Sequence, residues 1–414
     1  MAGIAQEARR VSRSAGEQGP PGEIAVSQVF LPGAVLGVLG GGQLGRMFAL
    51  AARRMGYRVT VFAPDDDTPA GQIADREIRA EYEDLAAVEQ FAREVDVVTF
   101  EFENIPAATA EAAARHVTVR PAGTLLHQTQ DRAREKRALT ERGLPVATFA
   151  IVTTDADLEP AARTVGCPAI LKSTAWGYDG RGQRRVMRVE DVAAQWRTLD
   201  SQPCVLERFV PFVAELSVVG ARGSDGEIVL YEPFQNRHRD HILDVTVCPA
   251  PISSRVREDA LAIAREVLTR FEVVGVLCVE LFLLADDSLV VNEFAPRPHN
   301  SGHVTIDAHA CSQFEQQVRA VCGLPLGSTE RTVPAAAMVN LLGDLWDGGT
   351  PNWTAALADP RVRLHLYGKQ DARSGRKMGH LSVADTTAEA AERRALDARS
   401  ALSGSRKAPA WTGR

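Results

Sequence analysis

Apolar runs alternate with amphipathic stretches over the first third of the chain. Val35-Leu36-Gly37-Val38-Leu39 is a continuous apolar run of the kind buried on both faces of a sheet. Leu44, Met47, Phe48 and Ala51 then recur at helical spacing, Gly56 ends that helix, and Arg58 to Phe62 reads as the next strand. A helix around Leu85–Glu94 and a strand over Val97–Phe102 continue the alternation. This order predicts a parallel sheet covered by helices, a Rossmann-like α/β domain over about 34–125. Ahead of it, residues 1–33 are rich in Ala, Gly, Pro, Ser, Glu and Arg without apolar periodicity, which predicts a disordered extension.

The pattern then changes. Residues 124–143 predict one charged helix, broken by Gly143-Leu144-Pro145. Residues from about 146 to 210 predict a small unit: strand Ala169–Lys172, a Gly-rich loop at 177–182, helix 191–199 and strand Cys204–Glu207. From about 213 the reading is antiparallel, with strands Glu215–Arg222 and Glu227–Tyr231 around a Ser-Asp-Gly turn. A long helix from about Ser254 to Phe271, a hairpin at 276–293 and a helix near 312–322 close this unit, which together with 146–210 spans 132–325. Strands near Ala337–Leu342 and Val362–Tyr367 predict a small C-terminal module over 335–395, and 403–414 a tail. The fold class expected is α/β (α+β) in several domains.

Composition narrows the function classes. A length of 414 residues exceeds what one core serves. The net charge of -6 argues against nucleic acid as a partner but leaves anionic small molecules open. The six cysteines are scattered without a CxxC pair, which suits buried thiols in a reducing compartment. No apolar stretch reaches membrane-spanning length and no signal-peptide pattern opens the chain, so the expected location is the cytoplasm, without membrane association.

Several constellations carry chemistry. In the hairpin at 276–293, a turn centred between Asp286 and Asp287 sets Glu280 opposite Glu293, Phe282 opposite Val291 and Leu284 opposite Leu289, all on one face. Two carboxylates so paired stand about 5 Å apart. They repel by about 3 kcal/mol at an effective dielectric near 20, a penalty that a divalent cation reverses. A different register would leave two exposed glutamates instead. The loop Gly177-Tyr178-Asp179-Gly180-Arg181-Gly182-Gln183, following Lys172, suits a triphosphate, or is a flexible surface hairpin; it lacks P-loop spacing. Arg297-Pro298-His299-Asn300-Ser301-Gly302-His303 reads as an anion and substrate site, or as a polar loop. Gly40-Gly41-Gly42-Gln43-Leu44-Gly45 contains GxGxxG but lacks an acid at the tip of the next strand, so a substrate contact or tight packing competes with a dinucleotide site. Lys369, Arg373, Arg376 and Lys377 form either a phosphate clamp or a solvated basic turn.

Taken together, GGGQLGRM at 40–47, EFEN at 101–104, QDRAREK at 130–136, GYDGRGQ at 177–183, ELSVVGAR at 215–222, NEFAPRPHNSGH at 292–303 and GRKMGH at 375–380 resemble ATP-grasp enzymes, and specifically the 5-(carboxyamino)imidazole ribonucleotide synthases. The match runs in order from about 34 to 390. The resemblance implies an ATP-dependent carbon–nitrogen ligase of purine biosynthesis, with the unit at about 146–210 as its lid. It would join bicarbonate to the amine of 5-aminoimidazole ribonucleotide through carboxyphosphate, releasing ADP and phosphate. Another ATP-grasp ligase, a formate-dependent glycinamide ribonucleotide transformylase or a biotin carboxylase, is the nearest alternative.

Residue by residue, the resemblance makes Glu280 and Glu293 ligands of Mg²⁺, with Mn²⁺ as an alternative, and Asn292 their helper. It assigns the nucleotide to Arg132, Lys172, Gly177, Tyr178, Asp179, Gly180, Arg181, Gly182, Gln183, Glu207, Arg208, Phe209, Val210, Glu215, His238, Asn292 and Glu293, with Lys136 a further candidate. Contacts at Arg208 are expected from its backbone. The ribonucleotide falls to Gln43, Leu44, Glu101, Tyr178, Asp179, Arg181, Arg297, His299, Asn300, Lys369 and Arg376. Arg297, Lys172 and Arg181 are the expected catalytic residues, and a homodimer the expected assembly.

Overall fold

The computed structural model describes residues 28–175 and 182–403. These residues form three sheets. The first is parallel, in the order β3-β2-β1-β4-β5, from β1 (Val35–Leu39), β2 (Arg58–Ala63), β3 (Arg76–Arg79), β4 (Val97–Phe100) and β5 (Thr118–Val119). Its central strands are buried on both faces, as their unbroken apolar runs require. Helix Gln43–Arg54 packs Leu44, Met47, Phe48 and Ala52 onto one face, together with Phe314, Val318 and Val321 from helix Gln313–Cys322. The first domain therefore shares a core with the unit that follows.

Residues 28–33 are packed against the domain, contrary to what their composition suggests. Phe30 is buried in that shared core, its N–H donates to the Cys322 carbonyl at 2.8 Å, and its carbonyl accepts from the Tyr57 hydroxyl at 2.8 Å. The Phe30 anchor, these two hydrogen bonds and a third from Gly33 N to the Gly56 carbonyl at 2.9 Å help hold residues 28–33, which the sequence placed in a disordered extension; 1–27 lie outside the described residues.

The expected helix over 124–143 is two helices, Gly123–Thr129 and Arg132–Glu141. Asp131 takes an extended conformation between them, and its side chain accepts from Arg134 N at 2.9 Å, a cap that starts the second helix.

The second sheet is antiparallel, in the order β6-β9-β7-β8, from β6 (Phe149–Val152), β7 (Ala169–Ser173), β8 (Gln183–Val186) and β9 (Cys204–Arg208). The third is also antiparallel and holds nine strands: β10 (Phe212–Arg222), β11 (Ile228–Leu230), β12 (Phe234–Arg239), β13 (Ile242–Cys248), β14 (Gly275–Leu284), β15 (Leu289–Ala295), β16 (Ala335–Leu342), β17 (Val362–Leu366) and β18 (Lys377–Asp385). Helix Ser254–Arg270 covers one face with Val256, Ala260, Ala264, Val267 and Leu268, the stripe its helical period dictates. Residues 335–395 join the same sheet. β16 pairs with β13 and carries the sheet on through β18 and β17, with helix Ala388–Leu402 packed beneath. Among the described residues no helix is long and apolar enough to cross a membrane. Five cysteines are buried and Cys167 is half-buried, all as free thiols.

Candidate functional site

The hairpin β14–β15 sets the site. Its turn is a three-residue connection, Ala285 to Asp287, closed by Leu284 N donating to Ser288 O at 2.9 Å, with Asp287 at φ 67°. Leu283 therefore pairs with Leu289, Phe282 with Val290 and Leu281 with Val291. The expected pairs Leu284–Leu289 and Phe282–Val291 do not form, and Val291 lies in the core below the sheet. A β-bulge at Asn292 then shifts the ladder by one residue and brings Glu280 opposite Glu293 after all. The bulge also lets two consecutive residues, Asn292 and Glu293, line the same cleft.

That cleft, of about 620 Å³, lies between the four-stranded and nine-stranded sheets. Lys172, Gln183, Glu207, Arg208, Phe209 and Val210 line it from the smaller sheet and the strap leaving it. Glu215, His238, Glu280, Asn292 and Glu293 line it from the larger, and Arg132 from its helix. Burial and the charge of Glu280 push the Glu293 carboxyl up, while Glu280 is held low against its own burial by the His299 ring, whose Nε2 lies 3.0 Å away. Two half-buried carboxyls, one destabilised by the other, fit a divalent cation between them.

Glu207 is the electrostatic counterpart. Its burial is overcome by Lys136 and Lys172, 3.7 and 2.9 Å from Oε2, which hold its carboxyl at about 2. Its other oxygen, Oε1, is buried and accepts no hydrogen bond within the protein, which leaves an acceptor for a donor in the cleft. Lys136 does not line the cleft. It donates to the Asn292 carbonyl at 2.8 Å and acts through Glu207. The Arg208 guanidinium turns away to the Val165 carbonyl at 3.0 Å. Glu215 holds His238 at 2.5 Å.

A second cleft of about 320 Å³ adjoins the first, lined by Gln43, Leu44, Glu101 and Phe102 of the parallel domain. Arg297, His299, Asn300 and Lys377 line both. Arg297 pairs with Glu103 at 2.6 Å across the domain junction. Burial works against the charge of His299, but the Cys278 sulfur and the Glu280 carboxylate outweigh it and push the ring up to about 10. Asn300 is buried, and neither its amide nitrogen nor its oxygen has a partner within the protein.

The Gly-rich turn is not a phosphate cradle. The Glu101 carboxylate accepts from the N–H groups of Gly42 and Gly45, so an acid already occupies the amides a pyrophosphate would need. A Cβ on Gly42 would stand 2.4 Å from that carboxylate, which is why glycine is required there. Lys369 lines neither cleft; its Nζ donates to the Lys377 carbonyl at 2.8 Å, and its charge reaches Glu101. Arg376 donates to the Asp371 carbonyl at 2.9 Å and also lies outside both clefts. Gly177, Tyr178, Asp179, Gly180 and Arg181 fall outside the described residues; Gly182 is described at φ 70°, its carbonyl accepting from Ser173 N. Sequence reasoning missed Glu103, although it lies within EFEN, and Lys377 as a residue of both clefts. It also missed Glu135, buried in the cleft and pushed up to about 8 by burial and Glu293.

Three family models match in sequence order: the ribonucleotide synthetase preATP-grasp domain over 34–130, the ATP-grasp domain over 137–314, and the phosphoribosylaminoimidazole carboxylase C-terminal domain over 336–394. The chain is 41% identical over 359 residues to N5-carboxyaminoimidazole ribonucleotide synthase of Bacillus subtilis, covering 86% of this chain and 92% of that protein. It belongs to the N5-carboxyaminoimidazole ribonucleotide synthase family. Against the bifunctional purine synthesis protein purC/E of Dictyostelium discoideum the identity is 40% over 86% of this chain, which spans 37% of that longer protein. A synthase of this family from Aspergillus clavatus, solved with ADP and 5-aminoimidazole ribonucleotide, superposes with a TM-score of 0.81 at 33% identity, over 89% of this chain and 98% of that one. The family identifies the chain as an ATP-dependent ligase on the ATP-grasp fold.

Proposed function

We propose that the chain carboxylates the amine of 5-aminoimidazole ribonucleotide, using ATP and bicarbonate and releasing ADP and phosphate. The observation that carries this reading is the junction of the two clefts. Arg297, His299, Asn300 and Lys377 border both, so a group activated in the larger cleft can meet a nucleophile held in the smaller. Bicarbonate is a poor electrophile. Phosphorylation gives it a leaving group, and the carboxyphosphate so formed is an anion that the cationic Arg297 and His299 can hold.

The larger cleft takes ATP. Lys172 and Arg132 face the phosphates, Glu207 Oε1 accepts from a base amine, and Glu215 lies toward the ribose. Glu280, Glu293 and Asn292 would hold Mg²⁺, which when bound neutralises charge on the transferred phosphoryl group. Gln43, Leu44 and Glu101 border the ribonucleotide, with Asn300 offering its unpaired amide. The unit built on β6–β9 is placed to close over the nucleotide and keep water from the labile anhydride. Assembly as a homodimer belongs to the same reading and is tested by sedimentation.

The deciding experiment measures ADP release with 5-aminoimidazole ribonucleotide, with and without bicarbonate. Release that needs both supports the reading. Release stimulated by formate and glycinamide ribonucleotide instead would overturn it.

A further inference from the structure

Glu232, Cys248 and His309 meet away from the cleft, their donor atoms all within 4.8 Å of one another. Glu232 precedes β12 and Cys248 ends β13, whereas His238, His241 and Leu243 line the nucleotide cleft at the other end of that hairpin. The five-residue step from Leu243 to Cys248 along an extended strand is about 17 Å. Cys248 Sγ lies 3.6 Å from Glu232 Oε1 and 4.0 Å from His309 Nε2. A tetrahedral zinc ion, with bonds of about 2.3 Å to sulfur and about 2.1 Å to nitrogen or oxygen, sets its ligand atoms roughly 3.6 Å apart. Cys248 Sγ is thus already at ligand spacing from Glu232 and close to it from His309, and all three donors lie within 4.8 Å of one another.

The scaffold around the three is firm. The His309 ring stands edge-on to Tyr231, with centroids 5.1 Å apart, and its backbone forms a bridge with Arg331. Cys248 and His309 are buried, and Glu232, about one-fifth exposed, forms the rim. His309 Nδ1 is buried without a hydrogen-bond partner, so the ring is not fixed by a protein acceptor. Arg331 Nε lies 2.9 Å from Glu232 Oε1, so a cation already stands at the rim.

We propose that Glu232, Cys248 and His309 form a binding site for a thiophilic divalent cation of the zinc type, separate from the nucleotide cleft, and that Arg331 competes with the metal for Glu232. A sulfur–imidazole–carboxylate set selects zinc over magnesium, which prefers oxygen ligands alone. Binding converts the Cys248 thiol to a metal-bound thiolate and releases its proton to solvent.

The test uses the full chain with Co²⁺ as a spectroscopic probe and Zn²⁺ as competitor. A thiolate-to-cobalt charge-transfer absorption is expected, abolished by excess Zn²⁺. Cys248→Ser and His309→Gln should each remove it, and Cys278→Ser, beside the nucleotide carboxylates, should keep it. No absorption in the unmodified chain, or absorption that survives Cys248→Ser, would overturn the site. Should the buried variants fail to fold, two rim variants decide. Arg331→Gln should tighten Co²⁺ binding by about tenfold by removing the competing charge, and Glu232→Gln should weaken it by about as much. Unchanged affinity in either one overturns the proposal.

Discussion

Glu280 and Glu293 face each other across β14 and β15 although the turn that joins those strands is set in a register that would pair Glu280 with Asn292. The extra residue at the bulge makes the difference. It returns Glu293 to a place opposite Glu280, and it frees the Asn292 carbonyl to accept from Lys136 at 2.8 Å. One irregularity thus serves the carboxylate pair and the lysine behind Glu207 together.

If the pair holds magnesium, Glu293→Gln removes one ligand and also the repulsion that raises the Glu293 carboxyl. The metal-free variant should unfold at or above the parent's temperature, while bicarbonate-dependent ADP release falls by at least about a hundredfold. Near-normal turnover would defeat the metal assignment.

Arg297 is held to Glu103 at 2.6 Å, and its Nε is buried without a partner. Arg297→Ala should raise the Michaelis constant for the ribonucleotide by roughly ten- to a hundredfold, the value of a charged hydrogen bond. Glu103→Gln should raise it less. The double variant should fall short of the product of the two, since both changes act on one guanidinium. An unchanged constant in Arg297→Ala would remove that residue from the ribonucleotide site.

The three central strands of the parallel sheet, β1, β2 and β4, were readable because they are buried on both faces and so present unbroken apolar runs; the polar, half-exposed edge strand β3 and the two-residue β5 were not. Nor were β12 and β18. Phe234–Arg239 is polar because it borders the cleft and because Asn236 is spent in a buried network, donating to Ser217 and accepting from Thr246, both at 2.9 Å. In β18 the buried polar residues are His380, hydrogen-bonded to Tyr367 at 2.9 Å, and Ser382, bonded to Asp307. Satisfied polar groups erase the alternation that marks a strand. The carboxylate pair was found in the sequence through a register that does not exist at the turn, because a bulge leaves no compositional mark. The helix break at Asp131 was hidden because a capping aspartate inside a charged stretch looks like one more helical charge.

Lys136 and Lys172 both pair with Glu207, yet they differ in kind. Lys136 is 2% exposed and outside the cleft; Lys172 lines it. Lys136→Met should lower stability by about 2 kcal/mol, since it takes one of two cations from the buried Glu207 carboxylate and leaves the Asn292 carbonyl without its donor. Lys172→Met should cost less stability and more of the affinity for ATP. Urea unfolding and nucleotide titration separate the two, and equal effects of both variants on both measurements would refute the distinction.

Glu135 contributes one window of pH dependence to stability without metal and nucleotide. Its carboxyl accepts from Phe294 N at 2.8 Å, and burial together with Glu293 pushes it to about 8, against 4.5 in a free side chain. Between those two values the folded chain binds a proton that the unfolded chain has lost. Unfolding then releases a proton, so stability falls as pH rises through this window and levels off above it. At pH 9 the folded state must carry the charge and is weaker by an amount on the order of a few kcal/mol. Glu135→Gln keeps the size and the neutral form. In the absence of metal and nucleotide it should therefore match the parent below pH 4.5 and exceed it increasingly toward pH 9. Urea midpoints of the two proteins across that range read the difference directly. A gap that is constant with pH would mean that Glu135 is charged throughout, and that the cleft floor is far better solvated than its burial implies.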